Sequence, residues 1–146
     1  MKHILIASDL SEEALRPFGT VVSLAEQWGA KITLLHVVHE LVVAPHGAPL
    51  APPVTSPDLP AEKKAAKEAL EKQAQQLGGG AQVEVVVTSS PQVPAAINHY
   101  ANEHEVDLIA ISTHGRTGWR HLALGSVAEE VLRHSEIPVL TFPRKK

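Results

Sequence analysis

Residues 112–126 read STHGRTGWRHLALGS, and the polar and glycine positions in this stretch are spaced to hold an anion. Gly115 and Gly118 permit positive φ and let a ligand approach the backbone closely. Gly125-Ser126 stands where a helical pattern begins, and a helix start offers unpaired N–H groups at the positive end of the helix dipole. Ser126 adds a hydroxyl, and Arg116, Arg120 and His121 add positive charge within the same loop. The chemistry these residue types share is phosphate binding. On spacing alone, a glycine-rich surface turn with Gly125-Ser126 capping a helix accounts for the stretch equally well. Two well-known phosphate fingerprints are missing. There is no G-x-x-x-x-G-K followed by Ser or Thr, and ASDLSEE, after the first strand, holds no glycine for a G-x-G-x-x-G turn.

Such a loop needs elements to position it. HILIAS (3–8) is a short apolar run suited to a buried strand. Ser11 can cap the helix that follows, with Glu12 and Glu13 in its first turn and Leu15, Phe18, Val22 and Ala25 as its apolar stripe. Pro17 interrupts this pattern and predicts a kink or a short first turn, and Gly29 ends the helix. KITLLHVV (31–38) is the second strand. Residues 41–60 carry six prolines and read as a long loop, either functional or mobile. Helices are expected over 61–77, with Ala66, Leu70, Ala74 and Leu77 on one face, and over 92–104, with Val93, Ile97, Tyr100 and Ala101 facing the core. Strands are expected at 82–88, 106–112 and 137–142, with a last helix opening at Gly125-Ser126. Strands that alternate with helices build a parallel sheet covered on both faces, and such sheets bind ligands beyond the carboxyl ends of their strands where strand order reverses. The loop at 112–126 falls in that place.

Composition narrows the classes. The 146 residues suit one domain spanning 1–146, with 44% hydrophobic and 20% charged side chains. A net charge of −3 with both signs interspersed argues against a nucleic-acid face, and 3% aromatics leave little to stack on bases. The absence of cysteine excludes disulfides, thiolate catalysis and cysteine-built zinc sites. No apolar run approaches a membrane span, and a cytoplasmic location is expected.

The spacing Ser112-x2-Gly115-x9-Gly125-Ser126 resembles the G-x2-G-x9-G-S/T motif of universal stress proteins, in their single-domain bacterial, ATP-binding form. SDLSEEA, LLHVV and IPVLTF are similar to the family as well, so the resemblance spans nearly the whole chain apart from the proline-rich loop. It implies a Rossmann-like, adenine nucleotide alpha hydrolase-like sheet of five parallel strands in the order 3-2-1-4-5. It further implies binding of ATP, or ADP or AMP, with Mg²⁺ or Mn²⁺ carried on the phosphates. Carried over by position, Asp9 meets adenine or ribose, with Ala7 beside it and Val37 against the base. Ile111 and Ser112 lie along the ribose. The backbone of Gly115, Arg116, Thr117 and Gly118 wraps the phosphates, and Gly125, Ser126 and Val127 donate to the outer ones. One position departs from the motif: Ser112 stands where the first glycine falls, so its side chain either crowds the ribose or bonds to it. The resemblance also implies a homodimer paired through strand 137–142.

Other side chains carry less. His36 and His39 face opposite sides of a strand, and His99 and His104 diverge on a helix, so neither pair chelates. His114 and His121 flank the loop and could approach phosphate, while the remaining histidines read as solvent-facing or satisfied by nearby groups. Asp9 has a plainer role available, as the start of an Asp-Leu-Ser lead into a helix cap. ATP hydrolysis would need a base or water-positioning group near the γ-phosphate, and Asp9 belongs at the other end. The expectation is a nucleotide-binding regulator of the stress response with little or no turnover, at most a weak ATPase. The alternative is a protein-interaction module of the same fold that binds no nucleotide.

Overall fold

The structure, a computed structural model, describes residues 1–43, 54–55, 57–113 and 125–143. The main sheet has five parallel strands, β1 (His3–Ala7), β2 (Lys31–His39), β5 (Val83–Ser90), β6 (Leu108–Ser112) and β7 (Val139–Phe142). They lie in the order β5-β2-β1-β6-β7, the expected 3-2-1-4-5. The order reverses between β1 and β6, where Ile4 pairs with Leu108 and Ala7 with Ile111.

Alternation along the strands sorts side chains onto two faces. Ile4, Ile6, Ile32, Leu34, Leu108 and Ala110 pack on one side against α1 (Phe18–Trp28) and α2 (Leu59–Ala74). Leu5, Ala7, Leu35, Val37, Ile109 and Ile111 pack on the other against α3 (Val93–Glu103) and α4 (Ser126–His134). Burial on both faces explains why the strands read as unbroken apolar runs. Each fully buried Leu or Ile among them stabilises the fold by roughly 1.5–3 kcal/mol.

Pro17 acts as expected. A short 3-10 turn (Glu12–Leu15) precedes it, and α1 starts immediately after it at Phe18. Gly29 ends α1 at φ +62, where Ala30 N–H reaches back to the Ala25 carbonyl at 2.8 Å. Within α1 the fully buried valine is Val21, with Val22 only partly covered.

The loop expected over 41–60 needs correction. Val42–Val43 (β3) and Val54–Thr55 (β4) form a small antiparallel ladder, and α2 begins at Leu59 rather than at 61. Pro60 fits inside the first turn of α2, because no intrahelical partner exists there for the N–H it lacks. Residues 44–53 and 56 lie outside the described residues. Among the described residues, no helix is long and apolar enough to cross a membrane.

Candidate functional site

The switch point of the sheet, where ligands of such folds bind, lies between β1 and β6 and is flanked by the turn after β1 and the segment after β6. Ala7, Val37 and Ile111 belong to a single apolar cluster on the α3/α4 face, each under one-tenth exposed. Val37 lies two residues beyond the β2 residue that pairs with Ala7, the last residue of β1. It therefore lies past the end of β1, still packed in the apolar cluster. Ser112 ends β6 half-buried, in register with Phe142. Gly115, Arg116, Thr117 and Gly118 lie outside the described residues, as do His114, Arg120 and His121.

Helix α4 starts at the same end. Glu129 N–H is bonded to the Gly125 carbonyl at 2.9 Å, so the N–H groups of Ser126, Val127 and Ala128 come before the first intrahelical bond. Ser126 and Val127 are exposed, while Ala128 and Val131 pack into the cluster that holds Ala7 and Ile111. The burial of one α4 face thus fixes where the helix start and its dipole point.

Gly125 proves to have a structural duty. Its N–H donates to the Thr113 carbonyl at 2.6 Å, and a Cβ built on it would lie 2.7 Å from that same oxygen. Its φ of −70 makes no demand for glycine, so close backbone approach is the reason for the residue. A side chain here would first push apart the joint between β6 and α4.

Asp9 sits in a turn bonded on several sides. Asp9 Oδ1 accepts from the Ser11 N–H at 3.0 Å and the Ser11 hydroxyl at 2.5 Å. The Ser11 side chain accordingly does not cap the following turn, as its position had predicted, but closes onto Asp9. Leu10 adopts a left-handed φ of +66, and its N–H donates to the Ser8 hydroxyl at 3.0 Å. His36 Nδ1–H donates to the Ser8 carbonyl at 2.7 Å and so ties β2 to the turn after β1. Buried Gln73, on α2, bonds to Ser8 Oγ at 2.6 Å and to the Ser11 carbonyl at 3.1 Å. Sequence reading missed Gln73, although the spacing of Ala66, Leu70, Gln73 and Leu77 puts it within the buried stripe that had been assigned to Ala74.

Three titrating groups displaced from their ordinary values, His3, Tyr100 and Asp107, cluster at the opposite, amino-terminal end of the sheet. His3 is buried, with Nδ1–H donating to the His104 carbonyl at 3.0 Å and Nε2 against the Thr33 hydroxyl at 2.8 Å. Burial, the leading cause, holds its pKa below the ordinary 6.5. Burial likewise pushes the Tyr100 phenol up, and Tyr100 stacks on His104 with ring centroids 3.9 Å apart. Asp107 accepts from the Lys2 and His3 N–H groups at 2.5 and 3.0 Å, which hold its carboxyl below the usual range. This cluster clamps the starts of β1 and β6 to the end of α3, far from the switch point.

A cleft of about 430 Å³, which sequence reading did not foresee, opens between the carboxyl end of β5 and α3, lined by Thr88, Gln92, His99 and Tyr100 among others. It lies on the β5 edge of the sheet, across β2 from the switch point, with Thr88 in register with Val37.

Comparison with known proteins agrees with this architecture. Residues 1–143 match the Universal stress protein family. Universal stress protein YxiE of Bacillus subtilis is 31% identical over 147 residues, covering 94% of this chain and 95% of that protein. Universal stress protein MJ0531 of Methanocaldococcus jannaschii is 29% identical over 146 residues, covering 99% and 84%. Among solved structures, UspA from Lactobacillus plantarum superposes with a TM-score of 0.80 at 26% identity, over 97% of each chain. The fold is also shared by a universal stress protein in complex with cAMP, at 19% identity, TM-score 0.66 and coverage of 97% and 96%. Another neighbour, from Archaeoglobus fulgidus in complex with dAMP, has 21% identity, TM-score 0.56 and the same coverage. With the match running from the first strand through the last, the chain belongs to the universal stress protein family.

Proposed function

We propose that the protein is a cytoplasmic stress-response regulator that binds ATP, or ADP or AMP, in the crevice between β1 and β6 with little or no turnover. The observation that carries this reading is a convergence. The apolar wall of Ala7, Val37 and Ile111 and the open start of α4 meet at the switch point of one sheet. The wall suits a nucleoside, and the N–H groups of Ser126 and Val127 with the Ser126 hydroxyl suit phosphate oxygens. Asp9 faces the nucleoside end and Ser112 the ribose. Gly115, Arg116, Thr117 and Gly118 complete the phosphate side through their backbone. The cAMP and dAMP complexes of the two fold neighbours support an adenine ligand. Among the described residues no three His, Asp or Glu side chains are grouped to hold a metal. In this reading Mg²⁺ or Mn²⁺ rides on the phosphates, where it neutralises their charge.

The protein acts as a homodimer joined by antiparallel pairing of β7, which lies at the sheet edge with Val139, Leu140, Thr141 and Phe142 only half-buried. Extracting the purified protein with acid and separating the supernatant by anion-exchange chromatography tests the ligand. An adenine nucleotide near one per chain is expected. Protein that carries none, and takes up none on incubation with ATP, overturns the reading. Release of inorganic phosphate at a steady rate would replace the binding role with that of a slow ATPase.

A further inference from the structure

Gln73 is a long polar side chain that is 8% exposed, and it projects from α2 into the turn that carries Asp9. The turn fixes the direction of each bond. The Ser11 carbonyl can only accept, so the Gln73 Nε2 amide donates to it at 3.1 Å. That places Oε1 at Ser8 Oγ, 2.6 Å away, and the Ser8 hydroxyl must donate to it. The Ser8 oxygen then accepts from Leu10 N–H at 3.0 Å. A single amide therefore ties both ends of the 8–11 turn and supports the left-handed Leu10, a conformation that a leucine keeps only when held.

We propose that Gln73 is the positioning residue of the nucleotide site: through its amide, helix α2 holds the Ser8–Ser11 turn, and with it Asp9, in the geometry that receives the nucleoside. This rests on the nucleotide reading given above. Gln73 touches no ligand in it and acts through Ser8 and Ser11. The turn is held on its other side by His36 on β2, so the loss of Gln73 loosens one attachment rather than the whole sheet.

Two variants test this. Gln73→Met keeps the buried volume and removes both bonds. Gln73→Glu keeps the shape, but it can donate to the Ser11 carbonyl only when its carboxyl is protonated. Calorimetry with ATP and Mg²⁺ should show Gln73→Met binding about tenfold more weakly than wild type, the factor that the loss of such bonds carries. Hydrogen exchange should speed up at the Leu10 and Ser11 amides and stay unchanged at Val131 in α4. In an Asp9→Ala background, Gln73→Met should weaken ATP no further. Gln73→Glu should be as weak as Gln73→Met at pH 8, and should recover toward the wild-type value measured at the same pH as the solution is taken to pH 5. Wild type that binds ATP alongside a Gln73→Met variant of equal affinity overturns the role of Gln73 and leaves the nucleotide reading standing. A tenfold loss that persists in the Asp9→Ala background, or a Gln73→Glu variant with no pH-dependent recovery, overturns it too. Wild type that binds no ATP overturns the nucleotide reading, and this inference with it.

Discussion

At the scale of single residues, Ser126 and Gly125 are adjacent yet carry different duties. Ser126 is exposed at the first position of α4, so its hydroxyl is available to a ligand without serving the core. Ser126→Ala should weaken ATP by roughly ten- to a hundredfold, the loss of one charge-assisted bond, while urea unfolding stays within about 0.5 kcal/mol of wild type. Equal affinity in the two proteins would remove Ser126 from the phosphate side. His3 makes a separate, pH-dependent prediction. Its folded pKa lies below 6.5, so the unfolded chain binds more protons than the folded one between the folded pKa and 6.5. Stability is therefore full above pH 6.5 and falls as acid is added through that window. Lys31, Glu84 and Asp107 are the charged groups facing His3, and the two carboxylates offset part of the burial effect. Asp107 adds a loss of the same sign at lower pH, below 3.8. Urea titrations from pH 8 to 5 should show a decline that His3→Gln flattens; parallel curves for the two proteins would contradict the assignment.

Among the elements, the joint between β6 and α4 is where fold and site are hardest to separate. Gly125→Ala places a Cβ against the Thr113 carbonyl, and relief requires a shift of backbone rather than of a flexible side chain. A cost on the order of 1–3 kcal/mol is expected in urea unfolding, even with no nucleotide present. A variant as stable as wild type would mean that the joint gives way freely. This residue also shows what sequence could and could not reveal. The strands, their alternation with helices and the interruption at Pro17 were legible, because apolar periodicity and proline geometry are local. The glycine was legible as a signal, but its cause was not, because the Thr113 carbonyl meets it only once β6 and α4 are packed. Gln73 and His3 were missed for the same reason: their partners lie 65 and 30 residues away, in Ser8 and Thr33. Ala7, Val37 and Ile111 were assigned to the nucleoside by resemblance to a family motif; the structure places them in one apolar cluster, and periodicity alone would not have singled them out from the rest of the core.

For the whole molecule, assembly and ligand binding are the properties at stake. Ile109 N–H donates to the Pro138 carbonyl and Thr113 N–H to the Phe142 carbonyl, so even-numbered β7 residues turn their backbone toward β6. Val139 and Thr141 therefore turn theirs outward, to the open edge. Thr141→Pro removes an outward N–H and spares the ladder to β6, so it should give folded monomers where wild type is dimeric by light scattering. A Thr141→Pro variant that stays dimeric would place the interface elsewhere. Isothermal calorimetry of the wild-type chain titrated with ATP and Mg²⁺ tests the nucleotide site. Saturable binding of about one ATP per chain is expected, weakened by Ser126→Ala. No heat of binding up to millimolar ATP, from protein shown to be free of bound nucleotide, would contradict it and leave an interaction module of the same fold in its place.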